Sequence, residues 1–323
     1  MKVCVLGATG FIGGQIARAA HEAGWRVRAV RRNPKNVGAI SDVPVEWVTA
    51  DLVNVDSLRR AMVGCDIVFH AAAAYPQNFR QIDREIARSR AEMDNVLQAS
   101  RTARVSRIIY TSSITTIGKP HEPRLADERD VYRSGSVRSA YTEAKFAMER
   151  LALRESRTPD MIVMVPSAVF GPGDIKPTTG VVIRDAARGR YPIYFDATIN
   201  AVDVRDVALS HIAAVAKGRR AERYILGGHN VAIVDILRMA CQAAGVPEPR
   251  IKLPRGLVSG VIGVTDAIPL FHLPENFRTF QIWQAVSSQK AQTELGHTAR
   301  PLEETVNDTI AWFRQAGMLA TTR

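Results

Sequence analysis

With 323 residues, 46% of them hydrophobic and 23% charged, the chain has the composition of a globular protein and a length that suggests about two domains. No run approaches the ~20 apolar residues of a spanning helix, and no basic segment leads into an apolar one at the start, so neither a membrane span nor a secretory signal is expected. A formal charge of +11 would suit nucleic acid, yet the Lys and Arg residues are scattered, with short clusters at Arg31-Arg32 and Lys217 to Arg220. No nucleic-acid partner is expected, and the basic surface fits a preference for anionic small molecules.

The chain opens on a buried strand, Val3 to Leu6. It breaks into Gly7-Ala8-Thr9-Gly10-Phe11-Ile12-Gly13-Gly14, then into a helix to Ala23 ended by Gly24. Strand, glycine turn and helix N-terminus in that order form a cradle for a pyrophosphate. Gly7 permits the tight turn, Gly10 lets backbone amides approach phosphate, and Gly13 lets helix and strand pack closely.

A second strand, Trp25 to Val30, ends at Arg31-Arg32-Asn33-Pro34, and a third, Val45 to Val48, ends at Ala50-Asp51-Leu52. Asp56 to Val63 reads as a helix with Asp56 as its cap and Gly64 past its end. Asp66 to His70 is a fourth strand leading into Ala71 to Ala74. A long helix, Arg80 to Ala103, precedes a fifth strand, Arg107 to Thr111, which runs into Ser112-Ser113. This alternation predicts an α/β fold of Rossmann type, a doubly wound parallel sheet covered on both faces. Ligands in such sheets bind at the C-terminal strand ends, where all these singled-out segments fall.

The second half gives a helix from Ser139 to Ser156, a sixth strand from Met161 to Val165 and a Pro- and Gly-rich loop from Pro166 to Gly180. Helices follow near Val181–Arg188, Val204–Ala216, Val234–Ala244, Arg255–Ala267 and Leu302–Ala316, with a strand at Arg223–Leu226. The expected division is a nucleotide-binding part at 1–170 and a smaller, mainly substrate-binding C-terminal part at 171–323, with elements between 200 and 228 able to return to the sheet. Cys4, Cys65 and Cys241 lie far apart in apolar surroundings and read as buried free thiols of a reducing cytoplasm. Neither they nor the scattered histidines have metal spacing, so no metal is expected.

Tyr141 and Lys145 stand four apart on one helix face. A phenol ionises near ~10, and an ammonium beside it favours the phenolate, which would let Tyr141 exchange a proton near neutral pH. A hydroxyl at the end of the fifth strand could donate to a carbonyl oxygen as charge develops there.

The glycine turn, the serine after the fifth strand and the Y-x-x-x-K on the next helix together resemble the extended short-chain dehydrogenase/reductase family (the NAD-dependent epimerase/dehydratase superfamily) over essentially the whole chain. Pro166 to Thr178, Arg223 to Gly228 and Trp312-Phe313-Arg314 look most like its dihydroflavonol-reductase-like branch and the hopanoid-associated sugar epimerases. The resemblance implies hydride transfer at a ketone or secondary alcohol with a nicotinamide cofactor. It makes Tyr141 the proton donor or acceptor, Ser113 the group that polarises the oxygen, and Lys145 the group that lowers the tyrosine pKa and holds the ribose. Ser113 fits better than Ser112 because Gly118 follows it at the family's spacing. For the cofactor it implies Gly7, Thr9, Gly10, Phe11, Ile12 and Gly13 at the pyrophosphate and Asp51 and Leu52 at the adenine. Ala71, Ala72 and Ala73 then lie by the nicotinamide ribose, joined by Pro166 and Val169. For the substrate it implies Ala74, Tyr75, Ile114, Thr115, Ser167 and Lys176. Ser89 stands where many members carry an Asn that helps relay protons, and Arg205 reverses a charge in a substrate-side segment. A homodimer resting on the helices at Arg80–Ala103 and Ser139–Ser156 is implied in the same way.

NAD-selective sheets carry an acid at the end of the second strand. Here Arg31 and Arg32 stand there, and the next acid after them is Asp42. A guanidinium can pair with a 2′-phosphate, so NADP(H) is expected, with Arg32 the better-placed contact and NAD left open. Three functions fit: an NADPH-consuming reductase, a nucleotide-sugar epimerase with bound NAD, or a dinucleotide-binding redox sensor. The intact Ser113, Tyr141 and Lys145 set argues against the sensor, and the arginine pair favours the reductase.

Overall fold

The computed structural model describes residues 1–73, 81–254 and 282–320. Its first half alternates as β1 (Lys2–Leu6), α1 (Phe11–Glu22), β2 (Arg26–Arg31), β3 (Glu46–Thr49), α2 (Val55–Met62), β4 (Ile67–His70), α3 (Ile82–Thr102), β5 (Arg107–Thr111), α4 (Ala140–Arg154) and β6 (Asp160–Pro166). The remainder comprises β7 (Ala168–Phe170), α5 (Val181–Ala186), β8 (Ile193–Phe195), β9 (Thr198–Asp203), α6 (Val204–Lys217), β10 (Arg223–Leu226), β11 (His229–Ala232), α7 (Ile233–Ala244), β12 (Ile251–Leu253), α8 (Gln289–Leu295) and α9 (Leu302–Gln315).

Seven strands join in one sheet in the order β3-β2-β1-β4-β5-β6-β10, and every pairing in it is parallel. The period-two alternation of β1 explains how both faces are covered. Val3 and Val5 pack with Ile16 and Ala17 of α1 and Val207 of α6. Cys4 and Leu6 pack with Leu58 of α2, Met93 and Leu97 of α3 and Met148 of α4. A third core joins Phe170, Ile183, Ile199, Ile236 and Phe313, beneath a small sheet ordered β11-β9-β7. The chain reverses its direction of travel across the large sheet at the β1–β4 boundary, so the crevice beyond those two strand ends is the ligand position of a doubly wound fold.

The expected sheet is present, and β10 returns to it beside β6, with Arg223 opposite Val163. Some local readings change. Asn54, not Asp56, caps α2: its Oδ1 accepts from Ser57 N at 2.9 Å, which leaves Asp56 in the first turn, where a negative charge suits the helix dipole. The loop expected over Pro166–Gly180 contains β7, and β8, β9, β11 and β12 have no counterpart among the elements expected from the sequence. These strands are short, from three to six residues, too short for periodicity to announce them. The expected helix at Arg255–Ala267 lies outside the described residues. Among the described residues no helix is long and apolar enough to cross a membrane, and no group of three His, Cys, Asp or Glu could hold a metal. All three cysteines are free and buried.

Candidate active site

The turn after β1 is locked by its glycines. Gly7 has φ +84, and a Cβ on it would come within 2.8 Å of Ala72 N. A Cβ on Gly13 would lie 2.2 Å from the Gly7 carbonyl oxygen, so no side chain can be borne there without moving backbone. Gly10 caps α1 with no side chain to occupy the free amides of the first turn. Those amides and the dipole behind them favour an anion, and the residues present fit a pyrophosphate. Gly38 (φ +61) brings a second loop over the turn, its Cβ position 2.8 Å from Thr9. The loop stands by side chain-to-backbone bonds: Asn33 accepts from Lys35 N, and Asn36 from Gly38 N, both at 3.0 Å.

Arg31 closes β2 with its guanidinium 4.9 Å from the centre of the Trp47 ring. Its Nε is buried without a hydrogen-bond partner, while Arg32 is exposed. Past β3, Asp51 Oδ1 accepts from Val53 N at 3.3 Å and the Leu52 carbonyl accepts from Asn95 at 2.8 Å. Past β4, Ala71 N donates to Leu6 O at 3.1 Å, which seats Ala71, Ala72 and Ala73 against the glycine turn.

Ser113 begins a 3₁₀ turn, Ile114–Thr116, just past β5 and accepts from Thr115 N and Oγ1 at 3.3 and 3.2 Å. Tyr141 lies in the first turn of α4, which Ser139 caps by accepting from Thr142 N at 3.1 Å. Burial pushes the Tyr141 phenol above its usual value, and the neighbouring Ser113 hydroxyl pulls it partly back. That direction is opposite to the one expected from the sequence. The reason is the burial of the phenol itself; Lys145 is buried too, at 8% exposure, and directs its ammonium at the Thr111 carbonyl, 3.0 Å away. Burial brings Lys145 down to about 8, opposed by the Glu149 carboxylate. Two histidines beneath the strand ends are held neutral by burial. His70 falls to about 3, with Lys145 adding to the effect, and His211, bonded to Thr111 Oγ1 at 2.9 Å, falls to about 4.

One cavity of about 880 Å³ joins these pieces. Every proposed site residue that the structure describes lines it, from Gly7, Thr9, Gly10, Phe11, Ile12 and Gly13 through Arg31, Arg32, Asp51 and Leu52 to Ser113, Tyr141 and Lys145. Pro166, Val169, Ile114, Thr115, Ser167 and Lys176 line it as well; Ala74 and Tyr75 lie outside the described residues. Ser89 does not line it. On either side of it in α3, Arg88 and Glu92 do, paired at 2.9 Å, so that helix offers an ion pair where a relay residue was sought. Arg205 is also elsewhere: it ties Asp203 to Asp308 at 2.8 and 2.7 Å.

The wall opposite the strand ends is only partly legible in the sequence. Tyr191, Ile193, Tyr194 and Phe195 line it with Ile199, Ile233, Leu237 and Trp283. Its polar groups include Lys176, Asn200, Gln284 and Asp174. Asp174 is 5% exposed, and burial raises its carboxyl to about 7 against the pull of Arg184. Ile233 and Leu237 belong to α7, one helical turn apart, but nothing in the sequence says which face of that helix meets the cavity.

The model of the NAD dependent epimerase/dehydratase family matches residues 3–227. A protein of Synechocystis sp. named "Putative dihydroflavonol 4-reductase" is 32% identical, covering 98% of this chain and 96% of its own length. "Sterol demethylase protein B" of Methylococcus capsulatus is 28% identical over 99% of this chain and all of its own. Among solved structures, a nucleoside-diphosphate-sugar epimerase from Pseudomonas aeruginosa superimposes with a TM-score of 0.86 at 26% identity, over 99% of both chains.

Proposed function

The chain belongs to the NAD dependent epimerase/dehydratase family, and from that premise we propose that it is an NADP(H)-dependent reductase of bulky, largely apolar ketones or aldehydes. The observation that carries the reading is that Ser113, Tyr141 and buried Lys145 line the same cavity as the glycine turn. The dinucleotide, when bound, supplies the hydride. The protein's part is positional and acid–base. Ser113 Oγ holds the carbonyl oxygen and stabilises its growing negative charge. Tyr141 Oη, kept protonated by burial, delivers its proton to that oxygen as the carbonyl carbon is reduced. Lys145 places a positive charge beneath the pair, which lowers the cost of the phenolate left behind. The amides of Gly10 to Gly13 hold the pyrophosphate, and Arg31 and Arg32 stand where a 2′-phosphate would lie.

The far wall supports the reductase over the epimerase. A nucleoside diphosphate-sugar asks for donors along two phosphates and a ring of hydroxyls, whereas Tyr191, Ile193, Phe195 and Leu237 offer mainly apolar and aromatic surface. Likeness to the Pseudomonas sugar epimerase supports the second reading, an epimerase with resident NAD. Benzil, a bulky diaryl diketone, separates the two. Its reduction with stoichiometric loss of NADPH, and a lower KM for NADPH than for NADH, is the expected result. Protein purified with bound NAD, converting a UDP-sugar with no net redox change, would overturn it. Tyr141→Phe should lower kcat by about 10²- to 10⁴-fold while NADPH binding, read by nicotinamide fluorescence, stays within about threefold of wild type.

A further inference from the structure

Directly behind the Ser113–Tyr141–Lys145 set lies a second polar cluster. Glu149 follows Lys145 by one turn of α4 and is 1% exposed. Its carboxylate accepts from Ser112 Oγ, and from Thr116 Oγ1 at 2.7 Å. Its other oxygen lies 2.9 Å from Nε of Arg223, an ion pair outside hydrogen-bond geometry; Arg223 is 7% exposed at the start of β10. Arg223 donates onward to the Thr116 carbonyl at 3.0 Å and the Glu128 carbonyl at 3.1 Å. The cluster therefore grips both flanks of Ser113: the residue before it, and the end of the 3₁₀ turn after it.

A charged pair this deep costs more in lost hydration than mutual attraction returns, unless its remaining lone pairs and protons are satisfied. A pair of apolar side chains would fill the same space without that penalty. The partners it has chosen point to what it does. We propose that Glu149, held by Arg223, is a positioning residue that locks the serine loop of β5 to the helix bearing Tyr141 and Lys145, and so sets the geometry of the catalytic group. The inference rests on the reading of Ser113, Tyr141 and Lys145 given above.

Position is one consequence and charge is the other. Burial raises Glu149, while Arg223, Ser112, Thr116 and Lys145 favour its ionised form. The groups facing it are Lys145 on its own helix, Arg223 on β10, and Tyr110 on β5, whose phenol is pushed up by burial and then by Glu149. Lys145 in turn faces His70 on β4, a ring held neutral. Glu149 is thus the negative charge that acts against the burial of Lys145. Removing it makes the Lys145 ammonium lose its proton at lower pH.

The experiment compares wild type with Glu149→Gln and Glu149→Asp by two readouts across pH: NADPH affinity by nicotinamide fluorescence, and NADPH-dependent reduction of benzil. In the wild type the alkaline limb should fall near 8, where Lys145 discharges. Glu149→Gln should move that limb to lower pH by about one unit and lower kcat by about 10²-fold, with KM for benzil within about threefold. Glu149→Asp, which keeps the charge and shortens the reach, should return the limb to its wild-type place while kcat stays reduced. If Glu149→Gln does not accumulate as folded protein, Arg223→Lys serves in its place: it keeps the charge, loses the grip on Thr116, and should lower kcat without moving the limb. A fall in melting temperature with kcat and limb unchanged means that the pair only stabilises the fold, and overturns the proposal. A wild type that binds neither NADPH nor NADH, or a Tyr141→Phe variant of undiminished activity, overturns the underlying reading instead.

Discussion

At the dinucleotide end of the cavity the wall consists of strand termini. Gly7, Arg31, Asp51, Ala71 and Ser113 each lie at or just past the ends of β1, β2, β3, β4 and β5, so the parallel sheet fixes their relative positions as soon as its strands pair. At the far end, Ile193 and Phe195 come from β8, Ile199 from β9, Ile233 and Leu237 from α7, and Trp283 from the segment before α8. No single element orders those side chains. One end is set by backbone hydrogen bonds and glycines that accept no substitution. The other is set by side-chain bulk, which can change without disturbing the sheet. That contrast lets one scaffold keep a dinucleotide while its second ligand varies.

Changes at each end test whether the two are independent. The largest effect is expected at Gly13→Ala, where the new methyl would sit 2.2 Å from backbone oxygen. A clash of this kind costs about 1–3 kcal/mol or more and must shift either α1 or the turn. NADPH affinity should fall at least tenfold and the melting temperature with it; a variant binding NADPH as wild type does would show that the turn is looser than its geometry. Next come the histidines beneath the strand ends. His70 at about 3 and His211 at about 4 lie below the ordinary 6.5, so between those values the unfolded chain binds more protons than the folded one. The stability they lend is present above about 6.5 and is lost as pH falls toward 4, with His211 alone accounting for on the order of 3 kcal/mol. Urea midpoints that stay flat down to pH 4 would mean that the rings are not held neutral. The smallest effect belongs to the far wall: Phe195→Ala should raise KM for benzil about tenfold and leave NADPH affinity within about twofold. If it weakens both equally, the two ends are mechanically coupled.

The same contrast explains which parts of the molecule are legible in the sequence alone. Val3 to Leu6, Gly7, Gly10 and Gly13 are local in sequence, and their order alone specifies strand, turn and helix. Tyr141 and Lys145 share a face by helical spacing alone. The pattern of strands places a serine pair past the end of β5, and the family resemblance, through Gly118, selects Ser113 from it. Charge is less legible. Helical spacing puts an ammonium beside Tyr141 but says nothing of its surroundings; Lys145 is buried against the Thr111 carbonyl, and burial decides the direction for both groups. Glu149 and Arg223 stand 74 positions apart by number and carry no mutual signal in a single sequence. Trp283 and Leu237 join the site only through the placement of α7 and of the segment before α8. Asn54 is within reach of the sequence, since Asn is as good a cap as Asp; α2 simply begins earlier than its apolar pattern suggests.

Arg31 and Trp47 belong to neighbouring strands that would pair whatever they carried. Stacked on the indole, the guanidinium has already surrendered much of the rotational freedom that a long side chain otherwise loses when it grips a ligand. The ordering is done during folding. If Arg31 meets a 2′-phosphate, as proposed, it need not be repeated when the nucleotide arrives, and the preference between two nucleotides would be open to change from Trp47, which does not line the cavity: replacing it would leave the charge in place and set it swinging.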